Sequence, residues 1–320
     1  MLKYAEILRT ISGLITDKKF VRPLGEGPEA EAALDLIMET VSVLDYDCDY
    51  FPGAEFEQVV NDSRQVAGNS IFVAISGARL DGKNFVPQAL SQGAKVIISE
   101  ESVESLLLHG TVNLIVKDCY QVYALLCELS YNFPTRQMNG FAITGTNGKT
   151  TSAMIIRHLL QQSKCSCGMI STVEYDLGKA AVISADRTTP QAGELFKYFH
   201  TMRQNELDNF VMEVSSHALA QHRIGSIKFQ AAIFSNLTGD HLDYHHTFEE
   251  YFRVKKQLFT EHLADNAPAI INSDDPYGAM LSQDPAVKNP VTFGRQSGQW
   301  RIKNIAVNAS GSSFTLDTAR

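Results

Sequence analysis

Apolar and polar positions follow two different patterns along the chain, and the change comes near its middle. In the first half, short apolar runs at 71–75 and 94–98 flank a helical pattern at 84–92. Strand, helix and strand in this order predict a parallel sheet. Helical spacings over 29–44 and 120–131 predict two further helices in this half.

In the second half, apolar runs of strand length alternate with amphipathic helical patterns. The helices are predicted over 150–162 and 247–262, and the strands over 140–144, 210–214, 231–236 and 269–272. Such an alternation predicts an α/β fold with a doubly wound sheet. The last segment, 300–318, is typical of antiparallel strands. With a linker at Pro134–Arg136, we predict two domains, 1–136 and 137–320.

Composition and charge limit the classes of function. The chain has 320 residues, is 44% hydrophobic and 20% charged, and carries a formal net charge of −8. This balance is that of a soluble globular protein, and it argues against broad binding to nucleic acid or anionic membrane. No stretch reaches the roughly 20 apolar residues of a membrane span. The five cysteines match no disulfide framework, so we expect a reduced, cytoplasmic setting.

The segment GFAITGTNGKTT at 140–151 predicts a phosphate-binding loop between a strand and a helix. Gly145 and Gly148 let the backbone turn tightly and aim its N–H groups at an anion, and the helix adds its positive end. Lys149 supplies a charge for the β and γ phosphates, and the Thr150 hydroxyl can hold Mg²⁺. Ile143 stands where the usual G-x-x-x-x-G-K-[ST] pattern has glycine, so this is a variant. The alternative is an ordinary glycine-containing turn.

Lys255 stands in the middle of an apolar helical face. The helix begins with Thr247 as N-cap and Glu250 three residues later, a capping box. The apolar face comprises Phe248, Tyr251, Phe252, Leu258 and Phe259. A buried lysine must be paired, lose its charge or be modified. The residues alone leave two interpretations open: an ammonium that reaches water past its own stem, and a carbamate formed with CO₂.

Two further segments place polar residues where predicted strands end. Glu213 interrupts an apolar strand, and its carboxylate is either a Mg²⁺ ligand or an edge-strand charge. The segment 235–246 contains Asp240 and His241, which could contact a metal or a phosphate. We interpret His245 and His246 as ordinary loop residues.

Taken together, these segments resemble the Mur ligases, most closely the branch that adds a diamino acid to UDP-MurNAc-L-Ala-D-Glu. The resemblance covers about 56–320 and rests on ordered motifs: TGTNGKTT at 144–151, DRTTP at 186–190, MEVSSHALAQHR at 212–223, SNLTGDHLDYH at 235–245, YFRVKKQLF at 251–259 and INSDDP at 271–276. In the first half of the chain, the segments 61–64, 71–77 and 81–82 resemble the family's uridine-binding domain.

The resemblance implies a role for each matching position. Residues 1–136 would bind the UDP-substrate through Ser63 and its neighbours, and 137–320 would form the central ATP-binding domain. Mg²⁺ would be held by Thr150, Glu213, His241 and a carbamylated Lys255. ATP would be bound by Gly145, Thr146, Asn147, Gly148, Lys149, Thr150, Thr151 and Asn272. The muramyl-peptide would contact Thr188, Thr189, Ser215, Gln221 and Arg223. Lys149, His241 and Lys255 would be the catalytic residues.

The reaction that the resemblance implies is a ligation through an acyl phosphate, with ATP and Mg²⁺ as cofactors. The added diamino acid would be meso-diaminopimelate or L-lysine, in peptidoglycan precursor synthesis. Family members continue past residue 320 into a C-terminal domain, so we expect a fragment of such a ligase. The first alternative is a truncated chain that binds UDP-muramyl-peptide and ATP without turnover. The second is a metal-dependent hydrolase built on Asp240, His241, Asp243 and His245.

Overall fold

The computed structural model describes residues 2–21, 55–77, 80–108, 110–239, 247–309 and 311–318. The chain divides into two compact units, Met1–Asn132 and Phe133–Arg320, which are described separately below. The helix predicted over 29–44 lies outside the described residues.

The amino-terminal unit is built on a five-stranded sheet in the order β2-β7-β6-β5-β4, with β2 antiparallel to an otherwise parallel set. A short antiparallel pair, β1 and β3, completes its described strands. The strands are β1 (Leu2–Lys3), β2 (Ile15–Val21), β3 (Glu55–Phe56), β4 (Gln58–Val60), β5 (Ser70–Val73), β6 (Ala94–Ser99) and β7 (Thr111–Val116). The helices are α1 (Tyr4–Ile11), α2 (Val86–Ser91) and α3 (Cys119–Ser130).

The elements predicted around this sheet are present, with one difference in detail. The apolar runs at 71–75 and 94–98 correspond to β5 and β6, and the helix predicted over 120–131 is α3. The helical pattern at 84–92 instead begins as a 3₁₀ turn, Gly82–Phe85, before α2. Asp81 causes this early turn, because its carboxylate accepts the Lys83 amide at 3.0 Å.

The carboxyl-terminal unit contains a ten-stranded sheet in the order β11-β10-β9-β12-β8-β13-β14-β15-β16-β17. The strands are β8 (Asn139–Thr144), β9 (Cys167–Ile170), β10 (Glu174–Asp176), β11 (Val182–Ser184), β12 (Asn209–Glu213), β13 (Ala231–Phe234), β14 (Ala269–Asn272), β15 (Pro290–Gly294), β16 (Trp300–Asn308) and β17 (Gly311–Thr318). The helices are α4 (Lys149–Gln162), α5 (Ala192–Gln204), α6 (Ser216–Ala220), α7 (Phe248–Thr260) and α8 (Pro276–Ser282).

The centre of this sheet is parallel, as the alternating pattern predicts. Strands β9, β12, β8, β13, β14 and β15 all run in one direction, so their carboxyl ends share one edge. Helix α4 packs against β8, β9 and β12, and α6 packs against α7. The predicted antiparallel strands at 300–318 are β16 and β17. The sequence patterns missed β9, β10, β11, β15, α5, α6 and α8. The missed strands have only three to five residues each, which is too short to show a period.

The predicted linker, Pro134–Arg136, lies within a 3₁₀ turn, Pro134–Gln137, that leads into β8. Across the described residues, every helix is too short or too polar to cross a membrane.

Candidate functional site

The predicted phosphate loop joins the carboxyl end of β8 to the start of α4. Gly145 has a φ of +144°, and Gly148, which precedes the first residue of α4, has a φ of +83°. L-residues with a side chain rarely adopt these values, so both glycines are required by the backbone path. Gly145 is buried, whereas Asn147 and Gly148 are exposed. The turn therefore presents its far end, next to the positive end of α4, to solvent.

The loop is hydrogen-bonded to the segment that follows β13, the neighbouring parallel strand. The amides of Thr146 and Asn147 donate to the backbone and side-chain oxygens of Asn236, at 2.9 and 3.0 Å. Ser235 Oγ donates to the Asn147 carbonyl at 2.7 Å. This corrects the expectation that the loop amides as a group face an anion, because two of them are used to hold the loop in place. The amides of the first turn of α4 are the ones left to face a phosphate, since a helix provides no acceptor for them.

Two lysine side chains meet at the carbonyl of Gly145. Lys149 Nζ donates to the carbonyl oxygens of Gly145 and Thr146, both at 2.9 Å. Lys255 Nζ donates to the same Gly145 oxygen and to Thr144 Oγ1, both at 3.2 Å. The shared acceptor places the two amines within a few ångströms of each other at the end of β8.

Lys255 lies on the apolar face of α7, as the spacing predicts, and the structure shows that it is buried. Its exposure is 1%, and its Nζ lies 4.7 Å from the centre of the Tyr251 ring. The interpretation in which its amine reaches water along its own stem is therefore wrong for this structure. The predicted start of the helix is confirmed, since Thr247 Oγ1 accepts the Glu250 amide at 3.1 Å.

Glu213 ends β12 and is fully buried. Since β12 lies between β9 and β8 in the middle of the sheet, the edge-strand interpretation is wrong. Its two carboxylate oxygens accept the amide and the hydroxyl of Thr172, at 2.9 and 3.1 Å. Within the described ranges no salt bridge involves Glu213. A buried carboxylate with only neutral hydrogen-bond donors fits a cation site, and its oxygens suit Mg²⁺.

The predicted peptide-binding residues form one hydrogen-bonded group beside Glu213. Thr189 Oγ1 donates to the Glu213 carbonyl at 2.9 Å and accepts the Ser215 amide at 3.1 Å. Arg223 donates to the Thr189 carbonyl at 2.9 Å and, through Nε and Nη2, to Gln221 Oε1 at 2.9 and 2.6 Å.

Thr188 joins the same group, because its hydroxyl oxygen lies within hydrogen-bond distance of Thr172 Oγ1, at 3.1 Å. Tyr175 fixes the segment that carries it, donating its hydroxyl to the Arg187 carbonyl at 2.6 Å. Burial raises the pKa of Tyr175 to about 12, so this phenol remains a donor at neutral pH.

Asn272 and Asp275 border the site on the β14 side. Asn272 donates its side-chain amide to the Ser235 carbonyl at 2.8 Å, which connects it to the segment that holds the phosphate loop. Asp275 accepts the Leu237 amide at 3.0 Å and caps α8. Thr150 and Thr151 lie in the first turn of α4, half-buried and exposed respectively.

Ser63 belongs to the other unit, where it is buried and donates to Gln88 Oε1 at 2.8 Å. His241 lies outside the described residues, as do Asp240, Asp243 and His245 of the alternative hydrolase site. Searched without those positions, the structure contains no group of three or more His, Cys, Asp or Glu side chains placed for a metal ion.

Sequence reasoning missed Thr172, Ser235, Asn236 and Asp275 as parts of the site. Ser235, Asn236 and Asp275 lie inside motifs that the sequence displays, but their partners are residues distant in the chain. Thr172 follows β9, and its role could have been inferred only if that strand had been predicted.

The chain matches two family profiles. The Mur ligase middle domain matches residues 143–320, and the catalytic domain of the Mur ligase family matches residues 55–122. Among curated relatives, the UDP-N-acetylmuramoyl-L-alanyl-D-glutamate–2,6-diaminopimelate ligase of Alkaliphilus metalliredigens is 36% identical over 265 residues, covering 82% of this chain and 52% of the relative. The ligase of the same name from Clostridium botulinum is 37% identical, covering 81% and 53%.

A solved structure of a ligase with that name aligns with a TM-score of 0.70 at 27% identity, over 83% of this chain and 54% of the other. MurF ligase from Thermotoga maritima, solved with ADP, aligns with a TM-score of 0.51 at 20% identity, over 82% and 56%, and shows the shared fold alone. The chain spans about half the length of the curated relatives it matches.

Proposed function

The chain belongs to the Mur ligase family, and we propose that it forms the UDP-substrate-binding and ATP-binding part of a ligase that adds a diamino acid to UDP-MurNAc-L-Ala-D-Glu. One observation carries the proposal. The phosphate loop, two converging lysines and a buried carboxylate lie together at the carboxyl edge of a parallel sheet, where such folds bind their ligands. A cytoplasmic location fits these substrates and belongs to the same proposal.

ATP would be bound by residues 145–151, with its phosphates against the first turn of α4. Lys149 would leave the carbonyls of Gly145 and Thr146 for phosphate oxygens, exchanging neutral acceptors for charged ones that make stronger hydrogen bonds. Asn272 would lie beside the adenine, held by its bond to Ser235.

Mg²⁺ would be held by Thr150, Glu213, His241 and a carbamate on Lys255, a set of donors dominated by oxygen. When bound, the ion would offset the negative charge that develops during phosphoryl transfer. The structure supports the carbamate at Lys255 through its burial and through the neighbouring Lys149 amine, since both disfavour a second ammonium.

The muramyl-peptide would lie against Thr188, Thr189, Ser215, Gln221 and Arg223, with its uridine at Ser63. Its terminal carboxylate would attack the γ phosphorus of ATP, ADP would leave, and an acyl phosphate would form. The amine of the diamino acid would then attack the acyl carbon, and inorganic phosphate would leave. Lys149 would stabilise the phosphoryl group in transfer by its charge.

The nucleotide part is tested by calorimetric titration of ATP into the chain. Lys149→Ala should abolish measurable binding, because it removes the cation of the phosphate loop. Lys197→Ala, which removes an exposed lysine from α5 of the same unit, is the matched control and should bind as the parent does. Equal ATP affinity in the Lys149 variant would contradict the loop assignment.

The ligase part is tested by phosphate release from ATP. Release that requires both UDP-MurNAc-L-Ala-D-Glu and a diamino acid supports ligation, and meso-diaminopimelate and L-lysine are compared as acceptors. Binding of UDP-muramyl-peptide and ATP without such release supports the non-catalytic alternative. Hydrolysis in the absence of ATP would favour the metal-dependent hydrolase.

A further inference from the structure

We propose that Thr144 is a positioning residue that aims the Lys255 amine at CO₂ and then holds the resulting carbamate. The proposal rests on the carbamate assigned to Lys255 above. Thr144 is the last residue of β8 and is fully buried. Its hydroxyl donates to the Val214 carbonyl at 2.8 Å, which leaves its lone pairs to accept from Lys255 Nζ at 3.2 Å.

The two acceptors at the end of β8 restrict the orientation of the Lys255 amine. A neutral lysine amine has two N–H bonds and one lone pair. Thr144 Oγ1 and the Gly145 carbonyl both accept from Lys255 Nζ, so these hydrogen bonds direct the N–H bonds of the amine toward the end of β8. An amine oriented in this way needs less reordering to react than one that rotates freely.

The carbamate step is balanced without any oxidant or reductant. The Nζ lone pair forms a bond to the carbon of CO₂, and one C=O π pair moves onto oxygen. One Nζ proton then leaves to water, and the product is a carbamate anion with a single N–H. Thr144 Oγ1 and the Gly145 carbonyl can therefore no longer both accept from Lys255.

Lys149 determines which acceptor can lose that donor at lower cost. While no nucleotide is bound, the Gly145 carbonyl also accepts from Lys149 Nζ at 2.9 Å, so it keeps a hydrogen bond when Lys255 withdraws one. Thr144 Oγ1 should therefore keep the remaining N–H. Because a carbamate is planar, this bond sets the plane of the group and hence the direction in which its oxygens face.

The test is the carbamate signal in ¹³C NMR of the chain in ¹³C-labelled bicarbonate, recorded over a range of concentrations. Thr144→Val removes the hydroxyl at nearly constant volume, and half-saturation should then need about tenfold more bicarbonate, equivalent to about 1.4 kcal/mol. Thr144→Ser keeps the hydroxyl and should saturate like the parent. Thr111→Val, a buried threonine in the amino-terminal unit, is the matched control and should have no effect.

The possible results separate this inference from the proposed function. A parent chain and a Thr144→Val variant with the same half-saturation would overturn the role of Thr144 and leave the carbamate in place. The carbamate signal of Lys255 is the one that is missing from Lys255→Ala. If the parent chain shows no such signal at any concentration, the carbamate itself is overturned. Should Thr144→Val fail to fold, Thr144→Ser still decides, because weakened saturation despite an intact hydroxyl contradicts the inference.

Discussion

Replacing Gly145 by alanine should destabilise the phosphate loop through two separate effects, one conformational and one steric. The φ of +144° lies in a region that residues with a side chain rarely occupy. A Cβ at this position would also lie 2.0 Å from Ser235 Oγ and 3.0 Å from the Asn236 carbonyl oxygen. Ser235 can relieve the first contact only by rotating away from the Asn147 carbonyl, to which it donates at 2.7 Å.

The magnitude follows from adding the two effects. A residue held in such a backbone region costs about 1–3 kcal/mol. Loss of the hydrogen bond between Ser235 and Asn147 costs about 0.5–1.5 kcal/mol. Gly145→Ala should therefore lower the free energy of unfolding by about 1.5–4.5 kcal/mol in total. Gly148→Ala is the matched control, because its φ is +83° but its Cβ would have no neighbour within 4 Å. It should cost about 1–2 kcal/mol, the conformational effect alone.

Urea unfolding measures these differences, and the chain's single tryptophan, Trp300, reports on the unit that holds the loop. Combining Gly145→Ala with Ser235→Ala should remove the close contact, so the double variant should be about 1 kcal/mol more stable than the sum of the single costs predicts. Strictly additive costs, or a Gly148→Ala variant at least as destabilised as Gly145→Ala, would refute the steric argument.

Two further predictions concern stability away from the loop. Lys179 and Ala180 have φ values of 47° and 61° in a turn that is closed by a hydrogen bond from the Ala181 amide to the Gly178 carbonyl. Asparagine and glycine adopt such values at lower cost, so the double variant Lys179→Asn with Ala180→Gly should raise the free energy of unfolding, measured in urea, by about 1–2 kcal/mol. Burial lowers the pKa of His262 to about 4, below its unfolded value of 6.5. The free energy of unfolding should therefore fall by about 2–3 kcal/mol as the pH falls from 6.5 to 4, because only the unfolded chain readily binds the proton. His262→Gln should weaken this pH dependence in unfolding curves recorded at several pH values.

Local patterns in the sequence predicted the parts of the site that depend on nearby residues. The strand, two glycines, lysine and helix of the phosphate loop occupy consecutive positions, so their joint pattern carries the prediction without any tertiary information. The place of Lys255 on the apolar face of α7 follows in the same way from the spacing of apolar residues, whereas the burial of its amine does not, because the spacing also allowed an amine that reaches water. The capping of that helix by Thr247 is equally local.

The parts that escaped prediction depend on which strands become neighbours. Glu213 is a central rather than an edge carboxylate only because β12 is inserted between β9 and β8. Asn236 reaches the phosphate loop only because β13 pairs with β8, which places Phe234 opposite Thr144. No periodicity in the sequence contains this strand order, because the order arises from crossover connections of different lengths.

The strand order also explains why the buried amine of Lys255 has hydrogen-bond acceptors beside it. Helix α7 lies more than a hundred residues after Thr144 and Gly145, yet their oxygens are the acceptors of its Nζ. The same Gly145 oxygen accepts from Lys149, so one carbonyl at the end of β8 is shared by the amine of the phosphate loop and the amine of the proposed carbamate. Any change that moves the end of β8 should therefore alter both groups together, whereas a change within α7 alone should alter only the second.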